Sequence, residues 1–237
     1  MISEEKKECR LQVITMSPQQ VAQSNIKEIV NHNFGLEHFV SIVSVENLKE
    51  TTLKVKFDRP LFKDYFSRFP ESERPISVIE TNKDTMVSVQ KILGQEFPVV
   101  TMVSSKGFIP GEKFNVSLLD KNNNLLGAIT FIPYPLEKTS IDGKAKVIAE
   151  YSILQPSFYS IKFEGFEKGE EVMFESLSGL EKIPKQKFNT DVPEIGYANG
   201  VVNQDGGKSR VTVERKNGEK IVLELPWGKE VLPYILP

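Results

Sequence analysis

The chain has 237 residues, 39% hydrophobic and 26% charged, with 30 basic against 32 acidic side chains and a formal charge of −2. That is chain enough for one large or two small cores, without the basic excess of proteins that neutralise a phosphate backbone, so no nucleic-acid partner is expected. The single cysteine, Cys9, excludes an internal disulfide and a cysteine-built zinc site, and no apolar run reaches the roughly 18 residues of a membrane span.

The first eight residues, Met1-Ile-Ser-Glu-Glu-Lys-Lys-Glu, are polar where a leader's apolar stretch would stand. Two expectations follow. Either the protein is cytoplasmic, or it is a mature fragment whose leader, with a lipid anchor upstream in one version, has been removed. The mixed charge run Glu4–Glu8 reads as a solvated tail.

Residues 9–15 alternate and form a first expected strand. Ser17-Pro18-Gln19-Gln20 reads as a helix start: serine caps, proline suits the first position, glutamine closes a capping box. Val21, Ile26, Ile29 and Val30 approximate a helical stripe, and Gly35 is placed to end it, so a helix is expected over 18–33. Strands are expected at 39–45 and 52–57, the latter with Leu53, Val55 and Phe57 on one face and Lys54 and Lys56 on the other. Leu61, Phe62, Tyr65, Phe66 and Phe69 fit one face of a short helix closed by Pro70. Residues 76–80 read as a strand, and 85–93 as a strand or a short helix. At 95–98 the character changes: helical patterning gives way to dense turn signals, and a domain border is expected there.

The second half reads as successive strands: 99–104, 114–118, 125–132, 145–153, 160–163, 171–177, 181–188, 210–214 and 220–225. Lys121-Asn122-Asn123-Asn124 is a turn whose asparagines tolerate left-handed backbone. Asn217-Gly218 between alternating runs predicts a hairpin with a type I′ turn, positive φ at both positions. Its alternation sends Val211, Val213, Ile221, Leu223 and Leu225 inward and Arg210, Thr212, Glu214, Lys220, Val222 and Glu224 to the other face. So many short strands at this spacing predict a β-sandwich.

One local pattern occurs twice. Gly107-Phe-Ile-Pro-Gly-Glu112 returns as Gly165-Phe-Glu-Lys-Gly-Glu170, 58 residues on, each time before an alternating run. Each copy predicts a tight turn feeding a strand, with Phe108 and Phe166 tucked beneath. The first copy resembles the opening of immunoglobulin-like modules of bacterial surface and envelope proteins, over about residues 98–230. The resemblance implies a sandwich used as a spacer or adhesive unit, without catalysis. One such sandwich takes about 100 residues, so the region is either one decorated sandwich or one sandwich plus a hairpin. The expected fold is therefore mainly β: a smaller mixed α+β domain over 1–96, then an Ig-like β-sandwich over 97–237.

The chemistry is sparse. His32 and His38 stand six apart with Glu37 beside the second, a spacing that fits neither helical nor strand ligand pairs, and a metal site needs further converging ligands. No Gly-x-Ser-x-Gly elbow occurs, no carboxylate pair stands out, and Asp191 and Glu194 read as solvated loop acids. The glycine segments 196–200 and 205–208 do not join a strand to a helix, as a phosphate site requires. No catalytic, metal or cofactor residues are assigned. Loops carry recognition on such scaffolds, and 189–209 is the expected surface, with Asp191, Tyr197, Asn199, Asn203 and Asp205 facing a protein or glycan partner. The apolar tail 231–237 either packs back over the domain border or marks a truncation. The function expected is non-catalytic binding or assembly in a bacterial cell envelope or after secretion, through loops and the place where the two halves meet. A hydrolase sited there, and a secreted effector binding a host protein, are the alternatives.

Overall fold

The structure, a computed structural model, describes residues 9–47, 53–59, 83–85, 88–92, 95–152, 158–179, 181–198 and 204–234. The expected helix at 61–69 and strand at 76–80 lie outside them. With 55% strand and 9% helix, the protein is mainly β and built of antiparallel sheets. It divides into two compact units. The second takes Gly107–Glu112 and everything from Tyr134 on; the first takes the other described residues up to Pro133.

Among the described residues, the first unit has eight strands: β1 (Arg10–Met16), β2 (Val40–Glu46), β3 (Leu53–Asp58), β4 (Lys83–Thr85), β5 (Ser88–Ile92), β6 (Gln95–Ser104), β7 (Phe114–Leu119) and β8 (Leu125–Phe131). They form two four-stranded sheets, β1-β2-β6-β5 and β4-β3-β7-β8. In immunoglobulin lettering these are A-B-E-D and C′-C-F-G. Residues 95–98, where composition marks a change, lie in β6, and the β7–β8 hairpin completes the first unit's second sheet. The alternation in β7 places Phe114, Val116 and Leu118 inward. β2 is buried on both faces from Val40 to Val45, which requires cover on each side. Two helices, α1 (Pro18–Ala22) and α2 (Lys27–Asn33), supply one cover: Val21, Ile26 and Val30 pack with Met16, Val40, Ile42 and Val99.

One continuous helix over 18–33 is not what forms. The capping box is present, with Ser17 Oγ accepting from Gln20 N at 3.3 Å and Ser17 N donating to Gln20 Oε1 at 2.8 Å. The helix then stops after Ala22. Ser24 donates its hydroxyl to the Val21 carbonyl at 2.8 Å, a local bond that competes with helical pairing. The second helix starts afresh, leaves Ile29 42% exposed, and ends before Gly35 at φ 84°.

The second unit also has eight strands among its described residues: β9 (Glu137–Thr139), β10 (Lys146–Tyr151), β11 (Phe158–Glu164), β12 (Glu171–Ser178), β13 (Glu181–Asn189), β14 (Ile195–Ala198), β15 (Gly206–Glu214) and β16 (Lys220–Gly228). Its sheets are β14-β11-β10-β9 and β13-β12-β15-β16. β13-β12-β15-β16 again has the order C′-C-F-G, faced here by E-B-A plus an edge strand, so this unit is an Ig-like sandwich. The Tyr159 hydroxyl crosses from one sheet to donate to the Pro226 carbonyl of the other at 2.9 Å. The β15–β16 hairpin has the expected faces: Val211, Val213, Ile221, Leu223 and Leu225 are all buried. Lys229–Tyr234 forms a closing 3-10 helix with Val231 fully buried.

The Asn217-Gly218 turn differs from expectation. Only Gly218, at φ 85°, is left-handed; Asn217 is not. Gly218 N donates to the Arg215 carbonyl at 2.9 Å and Arg215 N to the Glu219 carbonyl at 2.8 Å. This is the three-residue hairpin loop, a type I turn followed by a left-handed glycine. Asn217 turns its side chain to the job instead, accepting from Glu219 N at 2.9 Å.

The repeated pattern makes the same turn twice. Gly107 and Gly111 have φ 83° and 85°, Gly165 and Gly169 φ 68° and 71°. Glu112 N donates to the Ile109 carbonyl and Glu170 N to the Glu167 carbonyl, at 3.0 and 2.9 Å. Each glutamate then reaches back, accepting from Ile109 N at 3.1 Å and from Glu167 N at 3.2 Å. Each copy carries the chain from one sheet to another, β6 to β7 and β11 to β12. The phenylalanines diverge: Phe108 is buried, whereas Phe166 is half-buried, its ring edge-on to Phe163 at 5.6 Å.

Candidate functional site

Four connections meet at one end of the second sandwich: 140–145 between β9 and β10, 165–170 between β11 and β12, 190–194 between β13 and β14, and 215–219 between β15 and β16. Each is shaped locally first. The Ser140 hydroxyl donates to Asp142 Oδ1 at 2.5 Å and accepts from Ala145 N at 2.9 Å, while Asp142 also accepts from Lys144 N at 3.1 Å. Glu170 closes the second turn as described, and Asp191 accepts from Gly169 N at 2.8 Å.

Arg215 then ties the turns to each other. Its Nε and Nη2 donate to the two oxygens of Glu170 at 2.9 and 3.1 Å, a bidentate pair. Its Nη1 donates to Glu219 at 3.3 Å and stands 3.9 Å from Asp142. The guanidinium lies 5.3 Å from the centre of the Phe166 ring. Glu219 gives its other oxygen to Ile141 N at 2.5 Å, and Thr190 N donates to the Glu170 carbonyl at 2.9 Å. The side chains of Arg215, Glu170 and Glu219 are 9%, 7% and 11% exposed, so these pairs are weakly screened.

The electrostatics follow. The Arg215 hydrogen bonds hold the Glu170 carboxyl below its ordinary value against the opposing effect of burial. The Ser140 hydroxyl and the Lys144 amide do the same for Asp142. Glu170 in turn pushes the Arg215 guanidinium up. Such a cluster favours the ionised forms of Glu170 and Asp142 and surrounds Arg215 with acceptors. It fixes the turns relative to one another.

The residues expected to form one surface are not gathered into one. Asp191 lies at this end, exposed. Asp205 lies exposed at the opposite end of the nine-residue β15, about 30 Å away at the usual rise of a strand. There its carbonyl accepts from Lys229 N at 2.9 Å and its carboxylate faces Lys229 Nζ at 3.2 Å. Tyr197 is a core residue and no part of a surface: it occupies the inward position of β14 at 4% exposure, ring 6.0 Å from Phe174 and hydroxyl 3.5 Å from Ser178. Asn199 and Asn203 lie outside the described residues. Glu194 accepts from the Ser160 hydroxyl at 2.6 Å.

Elsewhere, His38 faces Glu37 at 3.3 Å and His32 sits in the last turn of α2. Among the described residues no three His, Cys, Asp or Glu side chains are grouped to hold a metal ion. Cys9 is half-buried, and burial pushes its thiol up. No helix among the described residues is long and apolar enough to cross a membrane.

The cluster escaped sequence reading, although traces of its members were there. Glu170 closes the repeated pattern, and Arg215 and Glu219 flank the Asn-Gly turn. β12–β15 pairing brings Glu170 to Arg215, 45 residues on, and the unit's other sheet, which carries the β9–β10 turn, brings Asp142 to them.

No protein-family model matches the chain, and no curated protein matches it. Among solved structures, domains 7, 8 and 9 of the S-layer protein SbsC are similar at 11% identity and TM-score 0.23, over 80% of this chain and 55% of that one. The chain thus spans about half of that structure's length. Tp47, the 47-kilodalton lipoprotein of Treponema pallidum, is similar at 9% identity and TM-score 0.22, over 94% of this chain and 52% of that one. Salmonella alpha-2-macroglobulin reacted with methylamine is similar at 11% identity and TM-score 0.21, over 93% of this chain and 17% of that one. The first two are, by name, a surface-layer protein and a lipoprotein. A likeness at this level assigns neither a family nor an activity.

Proposed function

We propose that this protein is a non-catalytic binding or assembly protein of a bacterial cell envelope, or a secreted one, and that it engages a protein or glycan partner through the turn-bearing end of its second sandwich. One observation supports this reading above others: three connections of an Ig-like sandwich are tied together around a buried arginine, and the fourth is hydrogen-bonded to them. A surface fixed before contact loses little freedom on binding, and sandwich scaffolds present recognition in their loops. The cluster's carboxylates are already engaged with Arg215, which suits scaffolding better than catalysis.

The separation of Asp191 from Asp205 makes the reading testable. Purified protein is co-sedimented with isolated envelope fragments of the source cells, as parent, Asp191→Lys and Asp205→Lys. Fractionation with an antibody locates the native protein. The expected result is envelope or culture-medium location, with binding that Asp191→Lys weakens at least about tenfold and Asp205→Lys leaves alone. Recovery solely from the cytoplasmic fraction, or binding that neither substitution changes, refutes it.

A further inference from the structure

We propose that this end of the second sandwich is an acid-released latch: Arg215 holds three of the connections as one unit while its partners are ionised, and they part together once those partners take up protons. The inference is independent of the functional reading above. It rests on who faces the guanidinium. Asp142 comes from the β9–β10 turn, Glu170 and the Phe166 ring from the β11–β12 turn, and Glu219 from Arg215's own hairpin. The 190–194 connection joins through Thr190 N on the Glu170 carbonyl and Asp191 on Gly169 N. Glu167, Lys144, Lys168 and Lys216 stand exposed on the same turns, and among the described residues Arg215 is the one basic side chain within ion-pair distance of the three carboxylates.

The charge arithmetic sets the behaviour. Arginine stays charged at any accessible pH. With three carboxylates ionised it is more than compensated, so a first proton that leaves the bidentate Glu170 in place only relieves surplus negative charge. Later protons leave a guanidinium that is 9% exposed with no counter-charge, and a buried unpaired charge is not tolerated. The cheapest escape is hydration of Arg215, which requires the turns around it to separate. The strands hold no such group in their core: β15 and β16 bury Val211, Val213, Ile221, Leu223 and Leu225. The turns therefore open before the sandwich does.

Amide hydrogen exchange by NMR, expressed as protection so that the intrinsic pH dependence of exchange is removed, reads this directly. Protection at Ile141, Glu167, Gly169 and Gly218 should fall together by about tenfold or more between roughly pH 5 and pH 3, while Val213 and Leu223 keep theirs. Arg215→Met, without the trapped charge, should lose that pH dependence. Should it fail to fold, the triple variant Asp142→Asn, Glu170→Gln and Glu219→Gln mimics the protonated state and should show lowered turn protection already at neutral pH. Turn amides that stay protected to about pH 3, that open at separate pH values, or that open only together with the strand amides would overturn the proposal.

Discussion

Arg215 and Glu170 bury their charges at 9% and 7% exposure, a situation in which removing one partner matters far more than the pair's net worth. Glu170→Gln keeps the shape, removes the bidentate partner and leaves the guanidinium to Glu219 and Asp142. We expect a loss of about 3 kcal/mol at neutral pH, measured by urea denaturation. The pH dependence has a fixed sign. Glu170 takes up a proton less readily folded than unfolded, so its contribution is complete above the ordinary value of 4.5 and fades as the pH falls through the lower folded value. The gap between parent and Glu170→Gln should narrow in acid; a gap that widens there would contradict the assignment. The two repeat phenylalanines separate at the same scale. Phe108→Ala should cost about 3–5 kcal/mol as a buried ring. Phe166→Ala, half-buried but lying against Arg215, should cost nearer 1–2 kcal/mol. Equal losses would mean that the surroundings of the two rings do not differ as described. The sequence made the two look alike because it displays the turn, and the turn is indeed the same. What covers each ring comes from distant strands.

At the scale of elements, alternation was readable wherever one face of a strand meets the core, because solvent on one side and packing on the other write a period of two into the residues. β7, β10 and β16 are of this kind. β2 has cover on both faces, so its residues carry no such contrast, and the chain had to be read from length and turn signals instead. The 18–33 helix was read too long for a related reason: Gln23, Ser24 and Asn25 are tolerable in a helix, and only the Ser24 hydroxyl bond to Val21 reveals the break. Glycine was the most legible residue where it forms turns, yet not every turn glycine is equally strict. A Cβ on Gly107 meets nothing within 4 Å, whereas one on Gly165 lies 2.0 Å from the Lys144 carbonyl oxygen. Both have positive φ. Gly107→Ala should therefore cost only the left-handed backbone, about 1–2 kcal/mol. Gly165→Ala must also push the β9–β10 turn away, and should cost more than twice as much and loosen the Arg215 cluster. Thermal melts of the two variants side by side test the order; a Gly107→Ala loss equal to that of Gly165→Ala would show that backbone strain alone decides both.

At the scale of the molecule, sheet order was the least legible feature, since it depends on which strands pair across long stretches of chain. Composition changes near 95–98 because turns become dense there, but β6 pairs back to β2 and β7 back to β3. The 114–131 hairpin is thereby the pair that completes the first unit's second sheet. Each unit closes a core of its own: Val43, Val45, Val55, Val116 and Leu118 belong to the first, and Tyr159, Ile161, Val213, Leu225 and Trp227 to the second. Two separate cores make two separate sources of cooperativity. The chain's single tryptophan, Trp227, is 3% exposed and lies in the second unit, so its fluorescence reports that unit's unfolding, while far-ultraviolet circular dichroism reports the strands of both. Val43→Ala removes two methyl groups from the first core, at an expected cost of about 2 kcal/mol. It should move the circular dichroism transition to lower urea and leave the Trp227 midpoint in place, and Leu225→Ala should do the converse. If Val43→Ala shifts the tryptophan midpoint as far as the circular dichroism one, the two sandwiches unfold as a single unit, and their cores are coupled in a way that two closed cores do not by themselves provide.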